Sequence, residues 1–178
     1  MCDDRNPIVF FEELGKLLRA NPLVKSKVRI RLAGEVDHSV KTTIEASDLI
    51  ENTDFIGMIT REEVFREFEK ASVLLLPINK ADNAAGRIPG KLFELLRAQK
   101  PILVFGPSKG DVKNIVESKE KGISFEYDDR KGISNYLQNL IIQNEVPFYN
   151  ESSNIEEFSN RNMTSLIAKY LDEISTKK

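Results

Sequence analysis

One short segment of the sequence, residues 86–96, combines residue types and spacing that suit an anionic ligand. On a helix that begins near Gly90, Lys91, Glu94 and Arg97 recur at intervals of three and form one narrow polar stripe, while leucines and a phenylalanine cover the rest. Free N–H groups at a helix start attract anions, and a lysine there adds a full positive charge. Because the helix dipole disfavours a cation at this end, the lysine indicates an anionic ligand that offsets the cost.

A purely structural role for the stripe is equally consistent with the composition. In that interpretation Lys91 and Glu94 form an exposed surface pair, which contributes only about 0.3 to 0.5 kcal/mol. The segment by itself leaves both interpretations open.

Other common catalytic and binding motifs are missing from the 178 residues. No Gly-x-Gly-x-x-Gly lies between a strand and a helix, the glycines at 106 and 110 have the wrong spacing for a P-loop, and no Gly-x-Ser-x-Gly elbow occurs. The single cysteine, Cys2, cannot form an internal disulfide, and the single histidine, His38, cannot build a zinc site alone. His38 has no evident catalytic partner, so we expect it in an exposed loop.

Charge and hydropathy narrow the class of partner. The net charge is −2, from 26 Lys and Arg against 28 Asp and Glu, and no basic half or tail stands out, which argues against nucleic acid. No apolar run approaches the roughly 20 residues that span a bilayer, so no integral membrane segment is predicted. Together with the lone cysteine, this indicates a reducing, cytoplasmic compartment.

Strand and helix patterns alternate along the chain. Apolar residues alternate with arginines in a first strand at 28–34, and the wholly apolar runs 72–77 and 101–105 are typical of strands buried on both faces. Two further strands are predicted at 55–57 and 123–127. Helices are predicted with N-caps at Asn6 and Thr60, and at 40–50, 90–99, 112–116 and 133–141.

This alternation predicts an α/β fold: a Rossmann-like doubly wound parallel sheet with helices on both faces. The chain enters on a helix where such a half-sheet begins with its central strand, so we expect the first strand to be missing. Residues 1–178 then form one domain, with a connector at 144–154 and an amphipathic C-terminal helix at 155–175. Ligands of such sheets bind beyond the carboxyl ends of the strands, which are the loops after Gly34, after 55–57 and at 78–89.

The segment 86–103 also resembles a known family. Gly-x-x-Pro-x-Lys-Leu-Phe-Glu at 86–94, followed by Lys-Pro-Ile-Leu at 100–103, is similar to the carboxyl-terminal domain of GT-B glycosyltransferases of the large retaining group 1 family. Other segments agree in order: Arg-Asn-Pro at 5–7, Leu-Ala-Gly at 32–34, Phe-Ile-Gly at 55–57, Leu-Pro at 76–77, and Gly122 followed by Asp128 and Asp129. The resemblance covers about residues 5–175, and this order is more specific than any single motif.

The resemblance implies a role for individual residues. Glu94 corresponds to the second glutamate of the family's E-x7-E motif, which binds the ribose hydroxyls of the donor nucleotide. The other implied residues form three sets: Arg5, Gly90 and Lys91 at the diphosphate, the backbone of Ile56, Gly57 and Met58 at the base, and Asp82, Asn83, Gly86 and Arg87 in the donor-sugar loop. The first glutamate of the motif falls at Gly86, so that carboxylate is absent unless Asp82 or Asn83 replaces it. No catalytic residue is assigned.

The implied activity is that of a glycosyltransferase of the hexosyl type. It transfers a sugar from a nucleoside-diphosphate sugar to an acceptor, with retention of configuration and no required metal or cofactor. This chain is then the donor-binding domain, inactive alone, and a separate amino-terminal domain holds the acceptor. Glycan or polysaccharide assembly is the family's common setting, in the cytoplasm or peripherally at the inner membrane face. Two alternatives stay open: a non-catalytic nucleotide-binding α/β domain, and a nucleotide-sugar epimerase of the same architecture.

Overall fold

The computed structural model describes residues 3–176, in which strands alternate with helices as the sequence pattern predicts. The strands of this range are β1 (Ile30–Ala33), β2 (Thr53–Gly57), β3 (Leu74–Pro77), β4 (Ile102–Phe105) and β5 (Gly122–Phe125). The α-helices are α1 (Ile8–Ala20), α2 (Pro22–Lys25), α3 (His38–Ala46), α4 (Arg61–Lys70), α5 (Lys91–Arg97), α6 (Asp111–Ser118), α7 (Arg130–Gln138) and α8 (Asn160–Thr176). Short 3-10 turns lie at Asp3–Arg5, Ile50–Asn52, Ala84–Gly86 and Glu156–Phe158, and a π turn at Asn139–Gln143 follows α7.

The strands are parallel to their neighbours and form two sheets rather than one. The first sheet is β1–β2, and the second is β3–β4–β5, with Leu74, Ile102 and Gly122 in register across it. Among the described residues no pairing joins β1 to β3. The break falls at the position that the doubly wound order gives to its first, central strand. The fold is the expected Rossmann-like parallel α/β fold, divided at the centre of its sheet.

Helices cover both faces, so each face has its own core. On one face α1, α3 and α7 enclose a cluster that includes residues of both sheets, Ile30 and Leu32 from β1 among them. On the other face α4, α5 and α6 pack against the second sheet. In β4, side chains alternate between the two clusters, Leu103 in the first and Val104 in the second. This alternation explains why the sequence run at 101–105 is wholly apolar.

The starts of two helices test the capping predictions. The predicted cap of the first helix is wrong: Pro7 precedes α1, and no side chain caps it. Asn6 is buried instead, and its Nδ2 donates to Thr43 Oγ1 of α3 at 2.9 Å. The capping box of α4 is confirmed, because Thr60 Oγ1 accepts from the Glu63 N–H while the Glu63 carboxylate accepts from the Thr60 N–H.

The connector at 144–154 is fastened to the second sheet. Lys121 is only 1% exposed, and its Nζ donates to the carbonyl oxygens of Asn150 at 2.8 Å and Glu151 at 3.0 Å. Tyr149 forms an isolated β-bridge with Lys121, and its hydroxyl donates to the Gln99 carbonyl at 2.6 Å. Desolvation lowers the pKa of Lys121, against a rise from the negative charge of Glu151. The polar connector is therefore tied down at its centre.

The C-terminal helix begins later than predicted, at Asn160 rather than near 155. A 3-10 turn, Glu156–Phe158, comes first, and Phe158 packs on Phe93 of α5 with ring centroids 5.8 Å apart. Six apolar side chains of α8 are between 45% and 63% exposed: Met163, Leu166, Ile167, Tyr170, Leu171 and Ile174. The amphipathic pattern is present, and nothing within residues 3–176 buries its apolar face.

Candidate functional site

Four elements at the carboxyl ends of the strands carry the predicted ligand-binding residues. They are the 3-10 turn Asp3–Arg5, the end of β2, the loop at 78–89 and helix α5. This is the edge of the sheet at which doubly wound folds bind ligands.

Arg5 is held at this edge by its neighbours on either side. The Asp4 carbonyl accepts from the Lys80 N–H at 3.0 Å, directly after β3, and Asn6 is bonded to Thr43 of α3. The short turn therefore links a helix that packs on the first sheet to a loop of the second sheet. Arg5 itself is exposed there.

Lys91 is the first residue of α5 and lies within electrostatic reach of Arg5 and Glu94. Desolvation lowers the pKa of Lys91, the negative charge of Glu94 raises it, and the positive charge of Arg5 lowers it again. Two cations within electrostatic reach of each other favour an anion that both can contact. Arg5 and Lys91, which the family resemblance assigns to a diphosphate, therefore lie within electrostatic reach of each other, and their role at a diphosphate stays a prediction.

The start of α5 offers fewer free amides than the sequence suggested. Gly90 has helical dihedral angles, φ −54° and ψ −29°, and no side chain caps the helix. The N–H groups of Leu92 and Phe93 already donate to the carbonyls of Pro89 and Gly90. Because α5 also has only seven residues, we attribute most of the attraction for an anion to the side chains and little to the helix dipole.

The polar stripe of α5 is present, but its ion pair is a different one. Lys91 and Arg97 are exposed and Glu94 is partly so, while Leu92, Leu95 and Leu96 are buried. Glu94 Oε1 accepts from Arg61 Nη2 at 3.2 Å, so its partner comes from α4 and not from Lys91. Sequence reasoning missed Arg61. The available signal was its place in the first turn of a capped helix, just after the predicted base-binding stretch.

The stretch predicted to hold the base lies at the end of β2. Gly57 and Gly34 both have positive φ, +75° and +94°, and the Gly34 N–H donates to the Gly57 carbonyl at 2.6 Å. That carbonyl is therefore already used, while Met58 is 83% exposed and Ile56 is half-buried. Base binding by this backbone stays a prediction.

The donor-sugar loop is anchored to the protein by one buried residue and one hydrogen bond, and its predicted ligand-binding residues are exposed. Ala84 is buried in the second core, and Tyr127 donates its hydroxyl to the Asn79 carbonyl at 3.2 Å. The four predicted residues, Asp82, Asn83, Gly86 and Arg87, are exposed. A Cβ at Gly86 would meet no atom within 4 Å, so there is room at this position for the glutamate side chain that the family carries. No contact places this loop against Lys91 or Glu94, and its role stays a prediction.

Other candidate chemistry is sparse in the part of the chain that the structure describes. Residues 3–176 contain no group of three or more His, Cys, Asp or Glu arranged to hold a metal ion. None of their helices is both long and apolar enough to cross a membrane. His38 is exposed, as expected, but it begins α3 and does not lie in a loop. Cys2 lies outside the described residues.

Comparison with known proteins agrees with this fold. No curated protein matches the sequence significantly. Among solved structures, sucrose-phosphate synthase from Thermosynechococcus elongatus matches with a TM-score of 0.66 at 14% sequence identity, over 99% of this chain and 44% of that one. This chain therefore spans less than half the length of that structure, and at such identity the likeness shows the fold. The family profile described as "Glycosyl transferases group 1" matches residues 8–143, well over half of the chain. The chain belongs to the group 1 glycosyltransferases.

Proposed function

We propose that this domain binds the nucleoside diphosphate of a sugar donor at the edge formed by Arg5, Lys91 and Glu94. The observation that carries the proposal is that Arg5 and Lys91, two cations from separate elements, lie within electrostatic reach of each other and of Glu94, a carboxylate one turn further along α5. A diphosphate matches the paired positive charge, and a carboxylate is a hydrogen-bond acceptor for ribose hydroxyls. One ligand accounts for both features.

The chemistry that follows is transfer of the donor sugar. The bond between the anomeric carbon and the diphosphate oxygen breaks, a bond to an acceptor hydroxyl oxygen forms, and the hydroxyl proton passes to the departing diphosphate. Negative charge grows on the departing diphosphate, and Arg5 and Lys91 are placed to stabilise it. Retention of configuration and independence from metal ions are part of the proposal, on the strength of the family.

The remaining features of the complete enzyme are proposed from the same family membership. A second, amino-terminal domain would hold the acceptor, and this chain alone would not turn over. The length of the matched synthase, of which this chain covers 44%, supports a two-domain architecture. We place the activity in cytoplasmic assembly of glycans or polysaccharides, with base-binding by 56–58 and donor-sugar contacts from the loop at 82–87.

A second candidate is a nucleotide-binding domain without catalysis. Gly86 favours it, because the carboxylate that the family places near the donor sugar is absent there. Both candidates share the nucleotide site, so a binding experiment tests what they have in common and a transfer assay on the complete protein separates them.

The sharpest test compares Glu94→Ala with the unchanged protein by calorimetry. We expect uridine or guanosine diphosphate to bind, and Glu94→Ala to weaken that binding about tenfold, the effect of losing one hydrogen bond to a charged group. Binding of inorganic pyrophosphate, which has no ribose, should change little. Equal losses for both ligands would contradict a ribose role, and a large fall in melting temperature would favour the surface-pair interpretation. No heat with any common nucleoside diphosphate at millimolar concentration would contradict the donor site itself.

A further inference from the structure

We propose that Arg61 is a positioning residue for the donor nucleotide: it holds the Glu94 carboxylate in the orientation that reads the ribose 2′-hydroxyl. This inference rests on the proposed function. It adds a residue that no sequence motif indicates, and it connects the stretch at 56–58 with the proposed ribose-binding carboxylate.

The start of α4 fixes the backbone position of Arg61. Arg61 is the first residue of α4, and the reciprocal capping box of Thr60 and Glu63 sets the angle at which the chain enters the helix. From this position its Nη2 lies 3.2 Å from Glu94 Oε1. The bond joins α4, which follows the first sheet, to α5, which belongs to the second.

An aromatic surface supports the guanidinium. Arg61 lies 5.8 Å from the ring centroid of Phe65, and Arg97 of α5 lies 5.7 Å from the same ring. Phe65 in turn packs edge-on against Phe68, a residue of the second core that is only 9% exposed. Because the ring is backed by the core, both arginines rest on a surface that does not move freely. Glu94, the ion-pair partner of Arg61, lies one helical turn before Arg97, so it is next to the arginine that contacts the same Phe65 ring.

The charge state of the pair suits positioning better than phosphate binding. Arg61 is paired directly with Glu94 at 3.2 Å, whereas no ion pair joins Arg5 or Lys91 to a carboxylate among the described residues. Arg61 uses Oε1 of the carboxylate, and Oε2 is left to accept from a hydroxyl group. The side chains are 78% and 39% exposed, and exposed pairs add little to folding stability. Loss of Arg61 should therefore appear in nucleotide recognition and not in the stability of the domain.

The test measures discrimination between ribose and deoxyribose. Calorimetry with uridine and guanosine diphosphates and their 2′-deoxy forms gives the affinity ratio for the unchanged protein and for Arg61→Ala. We expect Arg61→Ala to lower this ratio about 3- to 10-fold, to leave inorganic pyrophosphate binding unchanged, and to have no further effect when Glu94→Gln is also present. Arg61→Lys, which keeps a cation at the site, should recover part of the ratio.

A matched control and separate outcomes make the result decisive. Arg66→Ala removes another exposed α4 arginine, whose Nη2 bonds Glu62 of the same helix at 2.6 Å, and it should change none of these affinities. An unchanged ratio in Arg61→Ala, or an equal loss for pyrophosphate, overturns the positioning role while the nucleotide site stands. If the unchanged protein binds no nucleoside diphosphate, the proposed function fails and this inference fails with it.

Discussion

The two sheets of the molecule differ in how completely they are enclosed. In the second sheet, all four residues of β4 are buried. The outer edge of β5 is also occupied, because the Ser124 N–H donates to Glu117 Oε1 at 3.0 Å and Lys121 bridges to Tyr149 of the connector. Helix α5 packs against this sheet, so Lys91 and Glu94 project from a helix with a well-buried inner face.

The first sheet is buried on one face and charged on the other. β1 alternates buried and exposed residues, and its exposed Arg31 pairs with Asp54 of β2 and Glu67 of α4. Ion pairs, not apolar contacts, join this face to α4. The candidate site therefore lies where a fully packed sheet meets a half-packed one, and Arg61, at the start of the helix that follows β2, bonds to Glu94 of α5 there.

The largest expected effect comes from a matched pair of phenylalanines, one in each sheet. Phe105 of β4 is 1% exposed and packs against Phe10 and Phe125, so Phe105→Ala should cost about 3 to 5 kcal/mol of unfolding free energy. Phe55 of β2 is 39% exposed, and Phe55→Ala should cost about 1 kcal/mol or less. Urea denaturation of both variants measures the difference. Equal losses would show that the two sheets are equally well packed.

The next largest effect is the loss of nucleotide affinity when Lys91, at the start of α5, is replaced. Lys91→Ala should weaken binding of a nucleoside diphosphate about 10- to 100-fold, because it removes a charged hydrogen-bond donor from the phosphates. Lys131, an exposed lysine in the first turn of α7, is the matched control, and Lys131→Ala should leave the affinity unchanged. Calorimetry at fixed salt compares the two. Similar losses would mean that the site attracts anions only through general charge.

A smaller effect is expected in the pH dependence of stability, which reports on the charged face of the first sheet. Hydrogen bonds from Arg31 and then Lys70 lower the pKa of Glu67 from 4.5 to about 2. A depressed folded-state pKa adds stability that is fully present above the unfolded value and is lost as the pH falls toward the folded value. Glu67→Gln should therefore destabilise the protein at pH 7, and the difference should shrink between pH 4.5 and about pH 2.

Urea midpoints from pH 7 downward check this window. Glu62→Gln removes a carboxylate from the outer surface of the same helix, and it should shift stability by no more than about 0.5 kcal/mol at any pH. A Glu67→Gln effect that stays constant with pH would contradict the ionic origin of the contact.

The smallest expected effect is that of Gly86→Glu. Because a Cβ at this position meets open space, the change in unfolding free energy should stay within about 0.5 kcal/mol. Gly122→Ala provides the contrast, since its Cβ would overlap the Ile102 carbonyl oxygen and its φ of +151° disfavours a side chain. Thermal melts compare both variants. Similar losses would show that the loop at 78–89 is as tightly packed as β5.

The elements that sequence reasoning located correctly are those with a local physical cause. The apolar runs of β3 and β4 identify strands buried on both faces, and Thr60 with Glu63 identifies the start of α4, because each pattern is set by neighbours along the chain. The stripe on α5 follows from helical spacing in the same way.

Two of the features that were missed depend on contacts distant in sequence, and a third is local. Asn6 has the residue type of a helix cap, but a bond to Thr43 of α3 holds it elsewhere. Glu94 pairs with Arg61, 33 positions earlier in the chain, and no local pattern separates that partner from Lys91. The amides of Leu92 and Phe93 are used in tight turns that spacing alone does not reveal.

The exposed helix α8 has a mechanical consequence. Its 17 residues form an arm about 25 Å long, and the foot of the arm is clamped by Phe158 on Phe93 and by Glu157 on Lys119 at 2.6 Å. Because Phe93 directly precedes Glu94, a substitution that removes the Phe158 ring contact should also alter the packing of the helix that carries the proposed ribose-binding carboxylate.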